Sequence, residues 1–184
     1  MARIPYVETG TAPPKARELL ERLPLKLNIF KMVAHAETNA RPLLLLGTSI
    51  LSEQQLSARL RELAILRVAR LSQAEYEWVQ HVPIATMVGV SDEQVAALAR
   101  DDASAACFDP VDRVVLRATD EIVRDCGPSD ATFADLQAHF SHREIMELVL
   151  AVGFYMMMAR VMVSTRIDVD EAQGHKVIAS ITRR

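Results

Sequence analysis

Helix-start signals followed by apolar residues at helical spacing recur along this chain, and no other feature constrains its fold as strongly. Ser91, Asp92, Glu93 and Gln94 read as a capping box: the serine side chain accepts the Gln94 backbone N–H while the glutamine side chain reaches back. Ser141, His142, Arg143 and Glu144 repeat the pattern and open the most apolar segment, which runs to about Val163. Asp109 before Pro110 is a further start, with Val111, Val114, Val115, Ala118 and Ile122 on successive turns of one face and Gly127-Pro128 as the stop. Residues 57–72 place Leu60, Leu63, Ala64, Leu66, Val68 and Leu71 in a broad helical stripe with charges interleaved. Helices are also predicted over 15–23, 25–36, 42–51, 75–89 (weakened by Pro83 and stopped at Gly89), 95–99 and 130–140. The tail from Asp168 is polar and weakly patterned.

With only 6 glycines in 184 residues, and abundant Ala and Leu, the balance favours helices over turn-rich β architectures, and the fold class is all-α. No linker or low-complexity run divides residues 1–184, so one domain is expected. A segment apolar all round, such as the one from Ser141, belongs in a core or between subunits, and Met156, Met157 and Met158 within it suit adaptable packing.

Composition also excludes several functions. The net charge of -3 offers no basic excess to displace counterions from a phosphate backbone, so nucleic acid is not expected as a partner. Cys107 and Cys126 are too few for a secreted disulfide framework and are not spaced as CxxC, which fits a reducing cytoplasm. The N-terminus lacks a signal-peptide apolar region, and the longest uncharged apolar run, 148–159, falls short of the ~20 residues that cross a bilayer. A membrane location is therefore not expected.

Chemistry is most plausibly carried by polar residues set among helical apolar stripes: Glu62 on the 57–72 helix, and Glu77 with His81 on the next. Glu77 and His81 are spaced i,i+4, on one helical face. A carboxylate beside an imidazole stabilises the protonated ring, an arrangement suited to proton transfer, although the same spacing is common in solvent-exposed pairs of little energetic weight. Two such ligands without a third do not define a metal site, so no metal is expected. Arg67 and Arg70 are candidates to approach a carboxylate substrate, Arg70 being nearer the Glu62 face, and Tyr76 and Trp78 flank Glu77 as possible pocket walls.

The stretch from Leu60 through Arg61-Glu62 to Leu71, then Ala74-Glu-Tyr-Glu-Trp-Val-Gln-His81 and the residues from Ala85 to Gln94, resembles the carboxymuconolactone decarboxylase family, which includes the alkylhydroperoxidase D-like proteins. The resemblance covers roughly residues 41–125, with a looser match over the Ser141 helix. In the peroxidase branch a CxxCxxxH motif works with a glutamate on the preceding helix. Here Glu62 and His81 fall at the glutamate and histidine positions, while Ala74 and Glu77 stand where the cysteines would be. Peroxide is reduced by a thiolate, and neither position supplies one.

The resemblance therefore implies the decarboxylase-type branch: a lyase without a cofactor, acting on a small, cyclic, anionic molecule. In that reading His81 is the general acid/base, Glu77 its orienting and charge-stabilising partner, and Glu62 a second carboxylate shaping the site, with Arg70, Tyr76 and Trp78 contacting substrate. It also implies a homo-oligomer, trimer or hexamer. Peroxide reduction and a non-catalytic oligomeric role are the alternatives.

Overall fold

The computed structural model describes residues 1–181, and the last three residues of the expected 1–184 domain lie outside them. Among the described residues the chain forms ten helices and no strand: α1 (Pro14–Arg22), α2 (Asn28–Val33), α3 (Ala40–Ser52), α4 (Ala58–Leu71), α5 (Glu75–Met87), α6 (Asp92–Ala99), α7 (Pro110–Asp125), α8 (Asp130–His139), α9 (His142–Thr165) and α10 (Gly174–Ile181). The class is all-α, as the punctuation of the sequence predicts.

The local chemistry matches that punctuation closely. Ser91 and Ser141 each close a reciprocal capping box, with Gln94 and Glu144. Asp109 forms a third with Asp112, Pro110 occupying the first turn, where its missing N–H breaks no helical bond. Gly89, at φ +97°, ends the turn after α5 as expected. The stop of α7 falls one residue before the expected Gly127-Pro128: Cys126 caps the helix in the left-handed conformation at φ +71°. Pro83 lies within α5, which continues past it to Met87.

Helix α4 is the axis of the molecule. It packs against α5, α6, α7 and α9, and every residue from Leu60 to Ala69 is buried, the charged Arg61, Glu62 and Arg67 included. The sequence predicts a broad apolar stripe with charges interleaved. Enclosure from Leu60 to Ala69 replaces it, because four helices cover the faces that would otherwise carry those charges to water. Arg67 satisfies its guanidinium with Asp101 and with Asp120, whose Oδ2 accepts from Nη2 at 2.8 Å, which makes it a structural residue and not a substrate ligand. Leu63, Leu66, Val115, Leu116, Leu148 and Val152 form the centre of the core around this axis.

Helix α9 is long and apolar enough, by length and composition, to cross a membrane. Its contacts with α3, α4, α5, α7 and α8 are those of a core helix. The weakly patterned tail is ordered into a structural element. Asp168 accepts hydrogen bonds from Tyr6 and the Ala2 N–H, Asp170 accepts one from Tyr76, and α10 packs on α5 and α3. A second apolar cluster, built from Leu27, Ile29, Met32, Tyr76, Met158 and Met162, thus joins the N-terminal segment to α5 and α9 beside the main core.

Candidate active site

The contact between α4 and α5 brings Glu62 and His81 together. His81 Nδ1 lies 2.8 Å from Glu62 Oε2, while Glu62 Oε1 accepts from Arg61 Nε and Nη2 at 3.3 and 3.2 Å. All three side chains are buried. A carboxylate held by a guanidinium only accepts hydrogen bonds, so the proton between Glu62 and His81 sits on Nδ1, and Nε2 is the nitrogen left for chemistry. The ring of Tyr155, from α9, meets the imidazole edge-on, with centroids 4.8 Å apart at 86°.

Glu77 has a different environment from the one its spacing predicts. It shares a helical face with His81, yet neither carboxyl oxygen has a hydrogen-bond partner and the residue is fully buried. Burial, and then the nearby charge of Glu62, push its pKa well above the ordinary carboxylate range, which favours its protonated form. The hydrogen-bond partner of His81 is therefore Glu62 and not Glu77, the residue expected from spacing. Arg61 balances the charge of Glu62 and makes a buried carboxylate tolerable; Glu77 has no such cation beside it. Burial, and then the charge of Glu62, raise the Tyr155 phenol in the same way.

Beside this group lies a cavity of about 190 Å³. Its walls come from α3, α5, α9, α10 and the approach to α2, with Leu27, Leu43, Phe154, Met158 and Ile178 among the apolar side chains. Glu77, His81 and Tyr155 border it, and Glu62 stands behind the imidazole. Tyr76 also borders the cavity, but its hydroxyl is committed elsewhere: it donates to Asp170 Oδ2 at 2.6 Å and accepts from the Ile29 N–H at 3.3 Å. Gln80 is likewise occupied by the tail, donating to the carbonyls of Asp170 and Glu171 and accepting from the Gln173 N–H. Gly174 can sit over α5 only as glycine, since a Cβ there would come 2.3 Å from the Gln80 carbonyl oxygen.

Arg70 and Trp78 do not reach this cavity. They line a separate shallow depression with Gln73 and Ala99. Trp78 follows Glu77 by one residue and so points about 100° away around the helix; Arg70 lies about two turns beyond Glu62 along α4. Ala74 is buried at the start of α5, Cys107 is half-buried and Cys126 exposed, and neither cysteine lines the cavity. Three contributors were not singled out from sequence: Arg61, Tyr155 and the tail. Arg61 did leave a signal, an arginine directly beside a glutamate in a stretch that is otherwise apolar, where a buried charge needs a partner.

Residues 38–121 match the model of the carboxymuconolactone decarboxylase family. No curated protein matches the chain. Among solved structures, the fold is similar to that of an uncharacterized peroxidase-related protein with an alkylhydroperoxidase AhpD core from Ralstonia eutropha, at 17% identity over 98% of this chain and 96% of that one, with a TM-score of 0.78. A peroxidase-related protein from a Silicibacter species gives a TM-score of 0.74 at 20% identity, covering 91% and 90% of the two chains. The debrominase Bmp8, solved in complex with 2,3,4-tribromopyrrole, gives 0.72 at 14% identity, covering 98% and 100%. At these identities the structural likenesses speak to the fold alone. Residues 38–121 thus resemble the carboxymuconolactone decarboxylase family, and the chain as a whole has the all-helical fold seen in the structures with an alkylhydroperoxidase AhpD core.

Proposed function

We propose that this protein is a cofactor-independent acid/base enzyme of the lyase class acting on a small cyclic molecule. The observation that carries this reading is the Glu62–His81 hydrogen bond beside the buried, unpartnered carboxyl of Glu77 at the edge of an apolar cavity. An imidazole held by one carboxyl group and set beside a second can take and give protons in one site. His81 takes or gives a proton through Nε2, and Glu62, backed by Arg61, stabilises the imidazolium that forms. Glu77 supplies a proton to a developing anion or carbon.

Peroxide reduction is disfavoured because Ala74 and Glu77 occupy the positions where thiols would act, and Cys107 and Cys126 lie away from the cavity. Bmp8 was solved with a small halogenated ring, so halogenated and hydroxylated rings belong in the substrate screen beside unsaturated lactones. His81→Ala should lower kcat on any substrate so found by about 10²- to 10⁴-fold, the range for losing a general acid/base; full turnover by that variant would remove His81 from the mechanism. A cytoplasmic location and a homo-oligomer, trimer or hexamer, complete the proposal. The location is supported by two unpaired cysteines, and the assembly by the exposed apolar residues Met146, Leu150, Met157 and Val163 on one helix and Leu45 and Leu46 on another.

A further inference from the structure

The charge of the site is held behind the imidazole, not in the cavity. Arg61 is spent on Glu62, and no lysine or arginine lines the cavity, leaving His81 as the one basic side chain at its wall among the described residues. An anionic ligand would therefore meet a low-dielectric space with the negative Glu62 close by and no fixed counter-cation, which disfavours it by desolvation and repulsion together. Size gives a second guide. A dry cavity of roughly 150 Å³ accepts benzene, so about 190 Å³ has room for a single ring, with further substituents free to extend through its open side.

Hydrogen bonding gives the third. With its proton on the Nδ1 side, facing Glu62, His81 presents an acceptor at Nε2. Glu77 lines the cavity with its carboxyl oxygens buried and without a partner, and burial favours the protonated form, which donates. The two side chains lie one helical turn apart on the same face of α5. A hydroxyl is the small group that donates to one and accepts from the other at once. A carboxylate can only accept, and a hydrocarbon does neither.

We infer that the cavity recognises a neutral, single-ring molecule bearing a hydroxyl, of which phenol is the simplest representative, the hydroxyl donating to His81 Nε2 and accepting from Glu77. This replaces the anionic substrate expected from sequence and rests on the acid/base reading of the same residues. Equilibrium binding of phenol, toluene and benzoate to the full chain at neutral pH tests it. Phenol should bind saturably, with toluene and benzoate each weaker by roughly tenfold or more, the worth of one to two hydrogen bonds. Glu77→Leu should bring phenol and toluene to within about threefold, while Glu77→Gln, which keeps a donor, should retain most of the preference. Circular dichroism confirms that both variants are folded.

Benzoate binding as tightly as phenol, toluene matching phenol in the native protein, or no binding of any of the three would overturn the inference. Binding does not depend on turnover, so the two readings fail separately. Glu77-dependent phenol binding in a protein inert toward every screened ring would leave recognition standing and remove the enzyme. Turnover abolished by His81→Ala, in a protein that ignores phenol, would do the reverse.

Discussion

At the scale of single residues, the site turns on two glutamates made different by their neighbours. Glu62 is as buried as Glu77, yet Arg61 and His81 make it a usable carboxylate, whereas Glu77 has only apolar surroundings and the repulsion of Glu62. That difference has a measurable pH signature. The folded-state pKa of Glu77 lies above its ordinary value of 4.5, so the folded protein keeps a proton that the unfolded chain releases above that pH. Stability attributable to Glu77 should therefore be fully present in acid and fall as pH rises above 4.5, by up to about 1.4 kcal/mol per pH unit, until the folded acid itself ionises. Glu77→Gln should remove this slope, so denaturant melts across mildly acid to neutral pH should show the variant gaining on the native protein as pH rises. A constant difference would mean that Glu77 is ionised in the fold. Arg61→Ala tests the other glutamate: it leaves Glu62 charged and unbalanced, and a loss of about 3 to 5 kcal/mol is expected in the same melts.

At the scale of elements, the fold depends on α4 being enclosed and on the tail being fastened to α5. Leu66 and Leu63 have no exposed surface, and truncating either to alanine should cost about 2 to 5 kcal/mol, read from denaturant unfolding. The tail is held by a smaller set of contacts, in which Gln80 supplies three hydrogen bonds and Tyr76 one. Gln80→Ala should make the segment from Asp168 onward the first to be cut in limited proteolysis and the fastest to exchange its amides, with the α4 core protected as before. Gly174→Ala should do the same through a clash with the Gln80 carbonyl instead of lost bonds. Equal protection of the tail in native and variant proteins would show that apolar contacts alone hold α10.

At the scale of the whole molecule, one question is how much of the apolar surface a single copy can cover. Met146, Leu150 and Met157 recur along the open side of α9, and Leu45 and Leu46 are exposed on α3. Apolar residues gathered in this way commonly mark an interaction surface. A solution mass three or six times 20.5 kDa is expected from light scattering, and Leu150→Glu should shift it toward a single chain. A native mass near 20.5 kDa would end the oligomer proposal.

What the sequence determined by itself was local or nearly so. Capping boxes at Ser91 and Ser141, the proline-led start at Pro110 and the stop at Gly89 are written in residues within a turn of one another, and each was legible because its hydrogen bonds close within that turn. The identity of Glu62, Glu77 and His81 as a group was legible too, through spacing and resemblance. Tertiary structure alone decided which glutamate faces the imidazole, that Arg61 balances it, that Arg70 and Trp78 turn away from the cavity, and that a weakly patterned tail becomes one of its walls. Each of these depends on contacts between elements distant in sequence, where burial sets the cost of a charge and a partner across the interface decides whether it is met.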